Sequence, residues 1–151
     1  MRWLYRTALW TATSNKWSRT SFGSFATGDA SERRAIDHFE TSMRLDPRMT
    51  RRAFHLTGLG MCHFFEQRFD EAARFLEDSF RELPTYPLTG WFLAACYARM
   101  GRLHEAREFA ARHGIVPGGA WLAIHRLLGH AAHRDMALSG LRLATGEEPT
   151  A

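Results

Sequence analysis

Histidine is the residue type in this sequence whose number and spacing come nearest to a metal or catalytic site. The chain holds eight histidines, and the tightest group is His125, His130 and His133. Imidazole nitrogens bind zinc, but separations of five and three residues place only the last two near one face of a helix. Asp135 is the one carboxylate close to them in sequence. We expect a surface or helix-end role and no metal or other cofactor; an enzyme that uses this cluster is the alternative.

Two shorter patterns lack the structural context that their chemistry requires. Cys62 and His63 could serve as nucleophile and base, but adjacent residues of a helix point about 100° apart. Gly58-x-Gly60 lies within an expected helix and lacks the preceding strand of a phosphate-binding glycine loop. We therefore expect no catalytic residues. We interpret His63 as a packed, hydrogen-bonded core residue and place His55 near solvent.

A repeat of 34 residues determines where these side chains lie. Leu56–Pro84 and Gly90–Gly114 match at this offset, so that Cys62 corresponds to Cys96. A fixed period of this length is typical of stacked helix–turn–helix units. Apolar residues recur at helical spacing and none alternate with the period of a strand, which predicts an all-α protein. The predicted helices are 30–45, 49–67, 69–83, 88–100, 103–113, 120–132 and 134–144, with a break at 117–119.

The repeat carries small, large and proline residues in a recognisable order. One unit has Leu59-Gly60-x2-His63, followed by Ala72 and, at its end, Pro84. This order resembles the tetratricopeptide repeat, in which W-x2-L-G-x2-Y precedes A-x3-F and a final proline. The resemblance implies an all-α array of helical hairpins, stacked as a right-handed superhelix and closed by a C-terminal helical cap.

The resemblance divides the chain into a lead-in, a repeat domain and a tail. Residues 1–28 form a weakly helical or poorly ordered lead-in with four basic and no acidic side chains. The tetratricopeptide-repeat domain covers residues 29–147, and residues 148–151 form the tail. Its parts are a degenerate unit at 15–48, which begins within the lead-in, complete units at 53–86 and 87–120, and a cap at 120–145.

A second resemblance covers residues 28–147 and is carried by the runs 35–84 and 133–147. These runs resemble the C-terminal repeat region of bacterial proteins in which a class III adenylate/guanylate cyclase domain, or a winged-helix DNA-binding domain, precedes tetratricopeptide repeats. The resemblance implies an alternative function in signalling. The chain would be the regulatory segment of a nucleotidyl cyclase or transcriptional regulator, without its catalytic or DNA-binding domain.

The family resemblance also implies a concave groove, lined by four positions of the first helix in each unit. All eight residues are uncharged, so the groove lacks the Lys, Arg and Asn clamp with which chaperone-tail binders of the family hold a carboxylate. We expect a protein or peptide partner with an apolar helix or extended segment, including the N-terminal aromatics or a second copy; coverage by residues 120–143 is the alternative. The groove residues are Phe54, Thr57, Met61, Phe64, Leu88, Trp91, Ala95 and Ala98.

Charge and hydropathy argue against other classes of partner. From Asp29 onward 16 basic and 16 acidic side chains cancel, which leaves no basic stripe for nucleic acid. No uninterrupted apolar stretch approaches the ~20 residues that a membrane-spanning helix needs. Cys62 and Cys96 occupy the same position in successive units, where stacked helices hold them too far apart for a disulfide. We therefore expect both to be buried, unpaired thiols in a reducing cytoplasm. We therefore expect a cytoplasmic, non-enzymatic scaffold, marginally stable or self-associating because its repeats are few.

Overall fold

The computed structural model describes residues 32–48 and 51–147, and every regular element in these ranges is a helix. This confirms the predicted all-α class. The lead-in at 1–28 and the tail at 148–151 lie outside the described residues. The helices are α1 (Glu32–Leu45), α2 (Arg52–Phe65), α3 (Phe69–Glu82), α4 (Pro87–Arg99), α5 (Leu103–Arg112), α6 (Pro117–Leu127) and α7 (Ala131–Thr145).

The start of α6 corrects one prediction. The break expected at 117–119 does not occur, because α6 begins at Pro117 and includes Gly118 and Gly119. Val116 before it is extended, with φ −116° and ψ 134°, as the residue before a proline prefers. Proline lacks an N–H that the first helical turn leaves unpaired in any case, so it starts a helix as well as it stops one.

The 34-residue offset recurs in the backbone of the turns that join α2 to α3 and α4 to α5. Gln67 has φ 61° and its equivalent Gly101 has φ 79°. After α2, the N–H of Arg68 donates to the carbonyl of His63 at 2.9 Å. After α4, the N–H of Arg102 donates to the carbonyl of Tyr97, also at 2.9 Å. Both helices therefore end in the same left-handed cap.

Consecutive helices pack against each other from α1 to α5, and α2 also contacts α4. Two glycines of α2 allow close approach. A Cβ on Gly58 would lie 2.7 Å from Cε2 of Phe39 on α1, and a Cβ on Gly60 would lie 2.7 Å from Cδ2 of Leu76 on α3. Neither distance is tolerated between real atoms, so both sites require glycine for these neighbours to keep their places.

The order of packing changes after α5. The last helix, α7, packs most extensively against α4 and also against α5, whereas α6 packs chiefly against α7. A third hairpin stacked in sequence would instead bring α6 onto α5. α7 thus covers the first helix of the second unit, which is the helix that carries four of the predicted groove residues.

Candidate partner-binding surface

The residues predicted to line a groove lie mostly inside the molecule. Seven of the eight are buried and Phe54 is half-buried. The ring of Phe54 meets that of Tyr86 edge to face, with centroids 4.8 Å apart. In this conformation the eight positions belong largely to the core, and their contact with a partner stays a prediction. The buried seven are Thr57, Met61, Phe64, Leu88, Trp91, Ala95 and Ala98.

Thr57 belongs to a buried cluster of hydroxyl groups that joins α2, α3 and α4. Its Oγ1 lies 2.8 Å from Oγ of Ser79 and 2.7 Å from Oγ1 of Thr89. Ser79 donates to the carbonyl of Ala53 at 2.7 Å. If Thr89 donates to Thr57 and Thr57 to Ser79, every hydroxyl hydrogen has an acceptor. The cluster therefore stabilises the contact between the three helices. In the sequence it is visible only as one hydroxyl residue on the otherwise apolar side of each helix.

Phe64 lies in an aromatic cluster where α2 meets α3 and α4. Its ring makes edge-to-face contacts with Phe69 and Phe92, at centroid separations of 5.4 Å and 5.3 Å. The neighbouring Phe65 contacts Phe92 at 5.7 Å and stacks on His133 of α7 at 4.2 Å. The C-terminal end of α2 therefore contacts the beginning of α7.

Ala95 is covered by α7. A Cβ placed on Gly140 would lie 2.9 Å from the Cβ of Ala95, so the two helices touch closely at this point. Arg99, one turn further along α4, donates from Nη2 to the carbonyl of Met136 at 3.3 Å and also to Oγ of Ser139. A close apolar contact and two polar contacts thus hold α7 along α4.

His63 is buried, as expected, and its ring stacks on Phe75 with centroids 5.2 Å apart. Its Nδ1 has no hydrogen-bond partner in the described part of the chain, which corrects the expectation of a hydrogen-bonded core histidine. Burial, and then the nearby Arg68 guanidinium, lower the pKa of His63 below its ordinary value. The neutral form of His63 is therefore favoured more in the folded chain than in the unfolded chain.

The equivalent position in the next unit shows what His63 lacks. Tyr97 donates its hydroxyl hydrogen to Oε1 of Glu77 at 2.8 Å. Burial and this hydrogen bond raise the pKa of Tyr97 above its ordinary value. Helices α1 and α3 correspond at an offset of 37 residues, which places Glu40 in the slot equivalent to Glu77. The charge of Glu40 acts on His63, but Nδ1 of His63 makes no hydrogen bond, whereas Tyr97 donates one to Glu77.

The remaining candidates for chemistry are separated or shielded. His130 and His133 lie close together, with ring centroids 4.9 Å apart, but no group of three potential metal ligands occurs among the described residues. Cys62 and Cys96 are both buried and form no disulfide, as predicted. Desolvation raises the pKa of Cys96 well above its ordinary value, so that thiol stays protonated.

His55 corrects another expectation, because it is buried rather than close to solvent. Its Nδ1 lies 3.2 Å from the carbonyl oxygen of Arg51, and its ring meets that of Phe39 edge to face. The side chain fills the contact between α1 and α2, which the repeat pattern of a single helix does not reveal.

Two general findings complete the description. None of the helices in residues 32–48 and 51–147 is both long and apolar enough to cross a bilayer. Comparison with protein-family models and with curated proteins finds no match. The resemblances to tetratricopeptide repeats and to cyclase-associated repeat regions therefore stay predictions.

Proposed function

We propose that this chain is a non-catalytic scaffold for protein–protein interaction, built from hairpins of the tetratricopeptide type. One observation supports this most: a helix of the chain, α7, lies along α4 at a predicted groove position. Gly140 of α7 meets Ala95 of α4 there. A face that accommodates a helix of its own chain has the apolarity and shape to accommodate a helix of another protein.

The correspondence between the first and second hairpins supports the repeat architecture. The turns at Gln67 and Gly101 share a left-handed backbone. Arg68 pairs with Glu71 at 3.2 Å, and the equivalent Arg102 pairs with Glu105 at 2.6 Å. Exposed pairs of this kind add little stability, so their value here is as markers of equivalent geometry.

The chemistry of the groove positions defines the proposed partner. Apolar and small side chains dominate, and none of the eight positions carries a charge. An apolar helix or extended segment of a protein or peptide therefore suits them better than an acidic tail does. Phe54 is the groove position that keeps part of its surface exposed, and we place the edge of the contact there.

Photo-crosslinking tests this proposal. A photoreactive phenylalanine analogue replaces Phe54, and a matched variant carries it at Arg81, whose side chain is 75% exposed on α3. Illumination in an extract of the native host should yield a discrete protein adduct from position 54 and none of that size from position 81. Equal labelling at both positions, or no adduct at position 54, would refute the proposed surface.

A further inference from the structure

The two C-terminal helices differ in how they are attached to the rest of the molecule. α7 packs against α4 and α5, whereas α6 packs chiefly against α7. The segment before α6 includes Gly114, with φ 62°, and Val116, which is 60% exposed. Arg134 donates from Nη1 to the carbonyls of Leu128 and Gly129, which joins the two helices at their turn. α6 and α7 therefore form a pair held to the body mainly through α7.

The buried side of α7 carries three small residues beside Leu138 and Leu141. Ala137, Gly140 and Ala144 recur at separations of three and four residues, which places them on one side of the helix. All three are buried. On α4, Ala95 and Ala98 are buried as well. Small residues on both sides bring the helices close together, so a bulky side chain at the centre of either face would force them apart.

Polar contacts at the C-terminal end of α4 set the register of α7. Arg99 donates to the backbone carbonyl of Met136 and to the hydroxyl of Ser139. Both partners are on the exposed side of the contact, where water can replace them. The contact between α7 and α4 thus has two parts. Close packing at Ala95 admits only a small residue, and the hydrogen bonds of Arg99 can be exchanged for bonds to water.

We propose that α7 is a displaceable occupant of the α4 face, and that an amphipathic helix of a partner protein displaces it. This inference rests on the proposed scaffold function and specifies its partner and its regulation. The partner helix carries glycine or alanine at the positions of Ala137, Gly140 and Ala144, and it offers acceptors to Arg99. While α7 is in place the scaffold is closed to such a helix.

A peptide with the sequence of residues 131–147 is the probe, because it carries the contact face that fits α4 in this chain. Its binding to the full-length protein is measured by fluorescence anisotropy. Gly140→Leu in the full chain crowds α7 against Ala95 and increases the open fraction, so the peptide should bind on the order of tenfold more tightly than to the wild type. A peptide carrying the same leucine should not bind.

A milder pair of variants guards against loss of folding. Arg99→Ala removes the polar attachment of α7. The control, Arg81→Ala, removes an arginine that pairs with Asp78 of its own helix, α3. Peptide binding should tighten for Arg99→Ala and stay unchanged for Arg81→Ala, while the helical circular dichroism of both matches the wild type. Equal binding by all variants would overturn the proposal.

Two further outcomes separate this inference from the scaffold function. If the crosslink at Phe54 forms but the peptide binds none of the variants, α7 is a fixed part of the fold and only the inference fails. If the crosslink does not form and the peptide does not bind, the scaffold function and this inference both fail. A wild-type dimer that exchanges α7 between copies, detected by light scattering, would make a second copy the occupant and would also overturn the proposal.

Discussion

Gly60→Ala should destabilise the chain in the wild type and stabilise it once Leu76 is shortened. Alanine gains about 0.5–1 kcal/mol over glycine inside a helix. At Gly60 the new Cβ would lie 2.7 Å from Cδ2 of Leu76 and 3.2 Å from the carbonyl oxygen of Ala72. Relieving such crowding costs about 1–3 kcal/mol. The difference between these ranges is a net loss of about 0–2.5 kcal/mol, with a central value of about 1 kcal/mol.

The second unit explains the expected change of sign. The residues equivalent to Gly60 and Leu76 are Ala94 and Ala110, so the two units divide the same space differently between their helices. In a Leu76→Ala background the added methyl of Gly60→Ala meets no branched side chain. The substitution should then gain roughly the helical preference of alanine, about 0.5–1 kcal/mol, although Leu76→Ala itself costs about 2–5 kcal/mol.

Urea unfolding followed by circular dichroism measures the four proteins of this double-mutant cycle. The expected coupling between the two substitutions is about 2 kcal/mol, within the range for residues in contact. Gly90→Ala is the matched control, since its Cβ would lie 3.7 Å from Ile115 and 3.8 Å from Phe80 and should stabilise the chain. Equal effects of Gly60→Ala with and without Leu76 would refute this account of the α2–α3 contact.

Three further predictions concern the turns, the hydroxyl cluster and the buried histidine. Gln67→Gly should stabilise the chain by about 1 kcal/mol in urea unfolding, because glycine adopts a positive φ without strain, whereas Gly101→Ala should destabilise it by a similar amount. Thr57→Val should cost about 1–3 kcal/mol in the same assay, since the buried hydroxyl of Thr89 loses its nearest partner, although Ser79 keeps its bond to the carbonyl of Ala53. His63 should make the free energy of unfolding fall as the pH drops below 6.5, since its folded-state pKa lies below that ordinary value and the unfolded chain binds the proton more readily.

Each of these predictions has a control. Thr145→Val removes a hydroxyl that bonds only to carbonyls of its own helix, so it should cost less than Thr57→Val. His63→Phe should flatten the stability profile below about pH 6.5, and an unchanged slope there would contradict the role given to His63. A neutral or unfavourable effect of Gln67→Gly would show that strain at this turn is negligible.

The helices and buried thiols were predictable because their signals are local or periodic. Spacing of apolar residues depends on one helix at a time, and the predicted and observed bounds agree closely for α3 to α5. The equivalence of Cys62 and Cys96 followed from the 34-residue offset and correctly gave buried residues that form no disulfide. The start of α6 was missed because proline and glycine were interpreted as a break, although both are compatible with a first turn.

The surroundings of individual side chains depended on contacts that no single segment reveals. His63 lacks a partner for Nδ1, whereas Tyr97 in the equivalent position donates to Glu77. The burial of Ala95 depends on α7, which is more than 30 residues further along the chain and does not follow the repeat. The period of the sequence describes how its units resemble each other, whereas these features arise where the units differ.

Native-state hydrogen exchange tests most directly whether α7 can leave α4 while the remaining helices stay folded. Exchange is followed by mass spectrometry across a series of low urea concentrations. We predict that the amides of α6 and α7 exchange together through an opening that costs less free energy than global unfolding, while those of α2 to α4 stay protected. Exchange of α7 only with global unfolding would contradict a displaceable helix on the α4 face.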